Sequence, residues 1–281
     1  MNIWTTKTLL DENITSLGRC PANNISTHTP RMYRYDPTGE VFLVKQAPLH
    51  SMRAELIGQR VFELAGLPCP KMGMTRLKGE LALVVEYLEG YKDSRGNSMP
   101  RGFEHNPTMQ DGFFLDLLTY NYDRTPWNMM YRDSEFIFID FGASVLSRAR
   151  GGTKGFPLTV TPDQVEAVWK RNPDFPETPV NRAYAALVEG PEQYRTAEAL
   201  ALLAKITDAD LDRIVDEVYG ISGDTEWTQE PSSYRESPKY ASHSATVREI
   251  IRGGGSEQEY VRRALKSRRL SILAAADSQA A

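Results

Sequence analysis

The 281-residue chain has only two cysteines, Cys20 and Cys69, and four histidines in unrelated contexts. That excludes a disulfide framework and a cysteine-rich zinc site, and no HExxH is present to make a zincin helix. No stretch approaches the roughly 18 consecutive apolar residues of a membrane span. The first residues, MNIWTTKTLLDENITS, carry acids and lack the apolar centre of a signal peptide. There is no internal repeat. There is no excess of positive charge either: the formal net charge is −4, which argues against wholesale electrostatic binding to nucleic acid. What remains is an ordinary globular composition, 41% hydrophobic and 25% charged, with length for one large domain or two lobes each with its own core. A cytoplasmic monomer without nucleic-acid or membrane partners is expected, with export by a route that needs no apolar signal as the alternative.

The pattern along the chain is uneven. Residues 1–35 read as loops and edge strands. Asp36-Pro37-Thr38-Gly39 is a turn, and Val41-Phe42-Leu43-Val44 has the length and branching of a strand. From Met52 to Ala65, Leu56, Ile57, Val61, Phe62 and Leu64 recur at helical spacing, and Gly66 and Pro68 close the element. Met72 to Arg76 and Leu81 to Val85 read as two strands about the Lys78-Gly79 turn. Gly90 to Pro107 reads as a connector. A capping-box-like start at Thr108 to Asp111 opens a helix with Phe113, Phe114, Leu117 and Leu118 on one face. The pattern breaks from Asn121 to Met130. Glu135 to Ile139 is a short strand that enters Asp140-Phe141-Gly142. A further helix start is legible at Thr161 to Gln164, and helices are expected at 196–205, at 208–219, opening on Thr207 and Asp210 in capping-box spacing, and at 257–275. Residues 221–244 are polar and unpatterned. The expected fold class is α+β and bilobal, with a small β-rich lobe carrying one helix over residues 1–88 and a larger, mainly helical lobe over 89–281.

Five residues in this order form a chemical set. Lys45 ends an apolar strand, and Glu55 lies on the next helix. Asp123 and Asn128 stand five apart in NYDRTPWN (loop 121–130), and Asp140 follows a strand in the 139–142 motif. Phosphoryl transfer from ATP needs positioning and charge neutralisation more than covalent help. A lysine must reach the phosphates and a glutamate must hold it. A carboxylate must take the proton of the attacking hydroxyl. An amide oxygen and a second carboxylate suit Mg²⁺, a hard cation. The Asp-x-x-x-x-Asn and Asp-Phe-Gly spacings and their order match that requirement.

These motifs resemble the protein-kinase-like superfamily on its atypical branch. VKQAPLHSMRAELIGQRVFELAGLPCPKM resembles the lysine strand and following helix of HipA-like kinases. NYDRTPWN and IDFG resemble the catalytic loop and metal motif of phosphatidylinositol kinase-like enzymes. The resemblance covers about residues 40–145 and implies ATP and Mg²⁺ as cofactors. It assigns Lys45 to the phosphates, Glu55 to pairing with that lysine, Asp123 to the catalytic base, and Asn128 and Asp140 to the metal. VVEYLEG resembles a kinase hinge, where backbone groups of Glu86 and Leu88 would meet adenine. The departures are a missing Gly-x-Gly-x-x-Gly before the lysine strand, Thr125 in place of the lipid kinases' histidine, and the lack of an Ala-Pro-Glu triplet. Phosphate cover is expected instead from Ser26-Thr27-His28-Thr29, whose hydroxyls and amides can form an anion-binding nest.

The acceptor implied is a Ser or Thr hydroxyl of a protein or peptide. Alternatives are a small-molecule acceptor (sugar, antibiotic or inositol lipid), nucleotidyl transfer, or a nucleotide-binding pseudokinase scaffold. Arg148, Arg150 and Lys154 read either as a solvated loop or as a site for an anionic acceptor. The basic residues of the last helix fit an amphipathic helix docked on the core better than a nucleic-acid surface.

Overall fold

The computed structural model describes Trp4 and residues 8–9, 11–20, 30–93, 106–121, 124, 128–142, 144–145, 196–226, 248–250 and 252–280. Asp123, Ser26 and Thr27, the 148–154 segment and the helix start at Thr161 lie outside these residues. The β-rich part is a six-stranded sheet of β1 (Thr8–Leu9), β2 (Ile14–Arg19), β3 (Arg31–Tyr35), β4 (Glu40–Lys45), β5 (Met72–Leu77) and β6 (Glu80–Glu86). Their order is β1-β5-β6-β4-β3-β2, antiparallel except for the β1–β5 pair. Lys78 and Gly79 both have positive φ, at 54° and 84°, the geometry of the tight hairpin turn read from the sequence.

Helix α1 (Leu49–Leu64) follows β4. It starts three residues before the periodicity suggests, because the Pro48 carbonyl accepts from the amides of Ser51 and Met52. It ends where expected. Gly66, at φ 74°, lets its own amide reach Glu63 O and that of Leu67 reach Phe62 O, a Schellman closure.

Between Glu86 and Lys92 the chain leaves the first sheet and enters a second, three-stranded antiparallel one. That sheet is β7 (Lys92–Asp93), β8 (Met129–Arg132) and β9 (Glu135–Phe138). Strand β8 stands where the sequence showed only a break, because its pairing with β9, not its own periodicity, makes it a strand. Helix α2 (Pro107–Thr119) begins before Thr108: Asn106 is the N-cap, its side chain accepts from the Thr108 amide, and Pro107 fills the first turn. Helices α3 (Thr196–Lys205), α4 (Asp208–Ser222) and α5 (Glu257–Ala280) complete the helical part. The Thr207–Asp210 capping box opens α4 as read.

The protein is α+β and bilobal, but it does not divide its interior evenly between the lobes. A small cluster of Tyr33, Tyr35, Phe42, Val44, Leu77, Ala82 and Val84 covers one face of the large sheet. The other face shares a single core with α1, α2, β8, β9 and the C-terminal helices. Each of Leu56, Ile57, Val61 and Phe62 is fully buried there, contributing about 1.5–3 kcal/mol. Helix α1 is therefore an interior element of the whole molecule, packed on α2 and α4 as well as on β5 and β6. In α5, Tyr260, Val261, Ala264, Leu265 and Ile272 form the buried stripe. Its basic residues are met by acids of α4: Arg262 by Asp212 and Asp216, Lys266 by Asp212, and Arg269 by Asp208. That is the docked amphipathic helix expected from the sequence. Among the described residues no helix is long and apolar enough to cross a membrane. Cys69, between Pro68 and Pro70, is half-buried.

Candidate active site

Strand β4 alternates. Phe42 and Val44 face the small cluster, which puts Leu43 and Lys45 on the side of α1. Nearly two turns into α1, Glu55 projects toward the same place. The Lys45 ammonium donates to both oxygens of Glu55, at 2.6 and 2.8 Å, and lies 3.7 Å from Oδ1 of Asp140. Residues 45, 55 and 140 thus converge on one charge. Burial by itself would lower the pKa of the lysine, but the two facing carboxylates outweigh it and hold the ammonium above its ordinary value. Burial pushes the Glu55 carboxyl up and Lys45 opposes it. Glu55 is buried, whereas the Asp140 side chain is 45% exposed, so of the two carboxylates Asp140 is the one open to a ligand.

Asp140 has φ 57°, a left-handed conformation that a residue other than glycine adopts only when its surroundings enforce it. The next two residues do the enforcing. Phe141 is fully buried, edge-on to Phe62 with ring centroids 4.8 Å apart. Gly142 leaves the Glu55 carboxylate its space: a Cβ there would come within 3.2 Å of Ser51 Oγ and 3.5 Å of Glu55 Oε2.

The loop after α2 is organised by a buried arginine. Tyr120, left-handed at φ 55°, ends the helix and turns the chain. Arg124 is completely buried. Its Nε donates to Asp116 Oδ2 at 2.8 Å, and its Nη1 donates to the carbonyls of Asn128 and Ile139, both at 2.6 Å. The guanidinium also stands over the ring of Phe141 at 4.9 Å. The Asn128 carbonyl accepts a further bond from the Ile139 amide at 3.1 Å. Arg124 therefore ties Asn128 to the strand end that presents Asp140. Burial pushes the Asp116 carboxyl up, with Arg124 and Asn121 pulling it back. Arg268 of α5, also buried, donates to the Leu117 and Leu118 carbonyls and fixes the end of α2 from behind. Neither buried arginine has a signal in the local pattern, since each is defined by partners from other elements.

At the lobe junction, the Glu86 amide donates to the Lys71 carbonyl and the Glu86 carboxylate accepts from the Lys71 amide, both at 2.9 Å. That amide is committed to the sheet edge.

Asn128 and Asp140 offer an amide and a carboxylate, the hard oxygen donors that suit Mg²⁺. Among the described residues no group of three His, Cys, Asp or Glu could hold a metal by itself. Mg²⁺ held through one or two protein oxygens plus phosphates needs none, so the donor set fits.

No family model matches the chain, and no curated protein matches it. Among solved structures it is similar to the Helicobacter pylori proinflammatory kinase CtkA, at 13% identity and a TM-score of 0.49, over 93% of this chain and 96% of that one. It is also similar to Shewanella oneidensis HipA of the toxin–antitoxin system solved with HipB and operator DNA, at 11% identity and a TM-score of 0.47, over 96% of this chain and 70% of that one. At these identities the likeness is one of fold alone.

Proposed function

We propose that the protein is an ATP- and Mg²⁺-dependent phosphotransferase acting on a hydroxyl, with Ser or Thr of a protein or peptide as the acceptor. The observation that carries this reading is the Lys45 ammonium held at once by Glu55, at 2.6 Å, and by Asp140, at 3.7 Å. A lysine clamped by a buried glutamate and facing an exposed aspartate is the arrangement that phosphoryl transfer requires. ATP with Mg²⁺ would supply the phosphoryl group. Lys45 binds the phosphates and offsets the charge that builds on their oxygens. Asn128 and Asp140 hold the metal, and Asp123 takes the acceptor's proton. Backbone groups of Glu86 and Leu88 orient adenine, and phosphate cover is assigned to Ser26 and Thr27.

The test is incubation with Mg²⁺ and ATP labelled separately on the γ- and α-phosphate, beside an Asp140→Ala variant, with products read by mass spectrometry. The expected result is γ-label on the protein or on an added protein substrate, abolished by Asp140→Ala in a folded protein. Transfer of the α-label would replace this reading with nucleotidylation. Bound nucleotide with neither label transferred, across protein and small-molecule acceptors, would replace it with a pseudokinase.

A further inference from the structure

Arg53 sits on α1 two residues before Glu55 and is 1% exposed. Positions two apart on a helix point to opposite sides, so Arg53 faces away from the site while Glu55 faces into it. The guanidinium is fully engaged by the C-terminal helices. Its Nε donates to Ser222 Oγ at 2.9 Å and its Nη2 to the Gly223 carbonyl at 2.6 Å. Its Nη1 donates to Glu257 Oε1 at 2.5 Å and to Thr225 Oγ1 at 3.3 Å. It also stacks over the Tyr219 ring at 4.6 Å, and the Tyr219 hydroxyl donates to the same Glu257 oxygen at 3.2 Å. The Glu257 amide bonds the Thr225 carbonyl, so the end of α4, the following turn and the start of α5 form one cradle.

We propose that Arg53 is a positioning residue that fastens α1 to this cradle and thereby holds Glu55 against Lys45. One turn further on, Gln59 and Arg60 bond the Pro70 and Met72 carbonyls and Glu217 of α4, while at the Glu55 level it is Arg53 that reaches across to the end of α4 and the start of α5. Ala54, Leu56 and Ile57 pack without direction, whereas the arginine fork is directional and its partners lie 169 to 204 residues away in the chain. The cradle belongs to the chain itself, so the lysine–glutamate pair is assembled without an external effector. The activity arm of the test below rests on the phosphotransfer reading, and the labelling arm does not.

Two variants separate positioning from bulk stability. Arg53→Met combined with Glu257→Gln removes both charges, so no buried charge is left unpaired. Arg53→Lys keeps a charge beside Glu257 and drops the fork to Ser222 and Gly223. Each is measured against wild type for Tm, for the acylation rate of Lys45 by an amine-reactive reagent at pH 8 (read by mass spectrometry), and for kcat and KM with ATP. Loosening the pair takes the Lys45 ammonium off Glu55 Oε1 and Oε2 and opens it to the reagent, so the double variant is acylated several-fold faster than wild type. Its kcat falls by on the order of 100-fold, the effect of displacing a positioned group by about 1 Å, with KM little changed. Arg53→Lys folds and falls between the two in acylation. A lowered Tm with Lys45 acylation and kcat both at the wild-type level would overturn the proposal, leaving Arg53 a structural residue only. Wild-type protein that transfers no phosphate overturns the phosphotransfer reading, and the acylation rates then decide the role of Arg53 by themselves.

Discussion

Replacing Gly58 by alanine tests how closely α1 is seated on the Asp-Phe-Gly segment. A Cβ at this position would lie 2.7 Å from Phe141 Cβ, 3.1 Å from Ser144 Oγ and 3.2 Å from Phe141 Cδ1. Carbon atoms in contact sit about 3.5–4.0 Å apart, so the helix and the segment must separate by about 1 Å. Phe141 has nowhere to retreat, being fully buried between Phe62 and the Arg124 guanidinium. Overpacking of this kind costs about 1–3 kcal/mol. Alanine returns about 1 kcal/mol through helix propensity. The net loss is about 0–2 kcal/mol, small enough for the variant to fold. Activity is the more sensitive readout, because Glu55 lies one turn away on the same helix and the Lys45–Asp140 distance is already 3.7 Å. A displacement of about 1 Å there costs on the order of 100-fold in turnover. The assay pairs urea unfolding with metal-dependent ATP turnover. Gly220→Ala is the control: it lies on an exposed part of α4 with nothing within 4 Å of its Cβ, and should stabilise by about 0.5–1 kcal/mol without touching activity. A Gly58→Ala protein as stabilised as the control and equally active would refute the close seating of α1 on Phe141.

Two further perturbations follow from the charges. Asp116→Ala leaves Arg124 buried without its carboxylate and should lower the unfolding free energy by about 3–5 kcal/mol in urea titrations; a loss below about 1 kcal/mol would mean that the backbone carbonyls alone satisfy the guanidinium. The Asp210 carboxyl at the start of α4 is held down to about 2, from an ordinary 3.8, by its bonds with Thr207 and Arg213. A depressed carboxylate stabilises above its unfolded pKa and loses that contribution as pH falls through its folded one. The Tm gap between wild type and Asp210→Asn should therefore be constant at neutral pH and close between pH 3.8 and about 2; a gap that persists at the acid end would remove the ionised cap as its cause.

Much of the candidate site was legible because its members are read by local order. A lysine at the end of a strand, a glutamate on the next helix and an aspartate after a second strand are placed by two periodicities, 2.0 and 3.6, which the sequence displays directly. The C-terminal helices were legible for the same reason, down to the Thr207–Asp210 cap. Strand β8 was not, since a four-residue strand owes its conformation to its partner. The start of α2 was misplaced by two residues because Asn106 and Thr108 are both good caps, and only the backbone shows which one is used.

Local pattern along the chain sets the order of the elements, the two-part α+β architecture and the placing of Lys45, Glu55 and Asp140 at the ends or faces of successive elements. Which charges are interior follows from how distant segments pack together. Arg53, Arg124 and Arg268 look like solvated residues in the sequence, and all three are buried. An arginine can be interior only where enough acceptors converge on it, and those acceptors come from distant segments, up to 204 residues away for Arg53. In α5 the basic residues read as the outer face of a docked amphipathic helix, and packing shows which acids of α4 match them. Local spacing sets which face of an element a side chain occupies, while its charge environment is set by whichever segment the fold brings opposite.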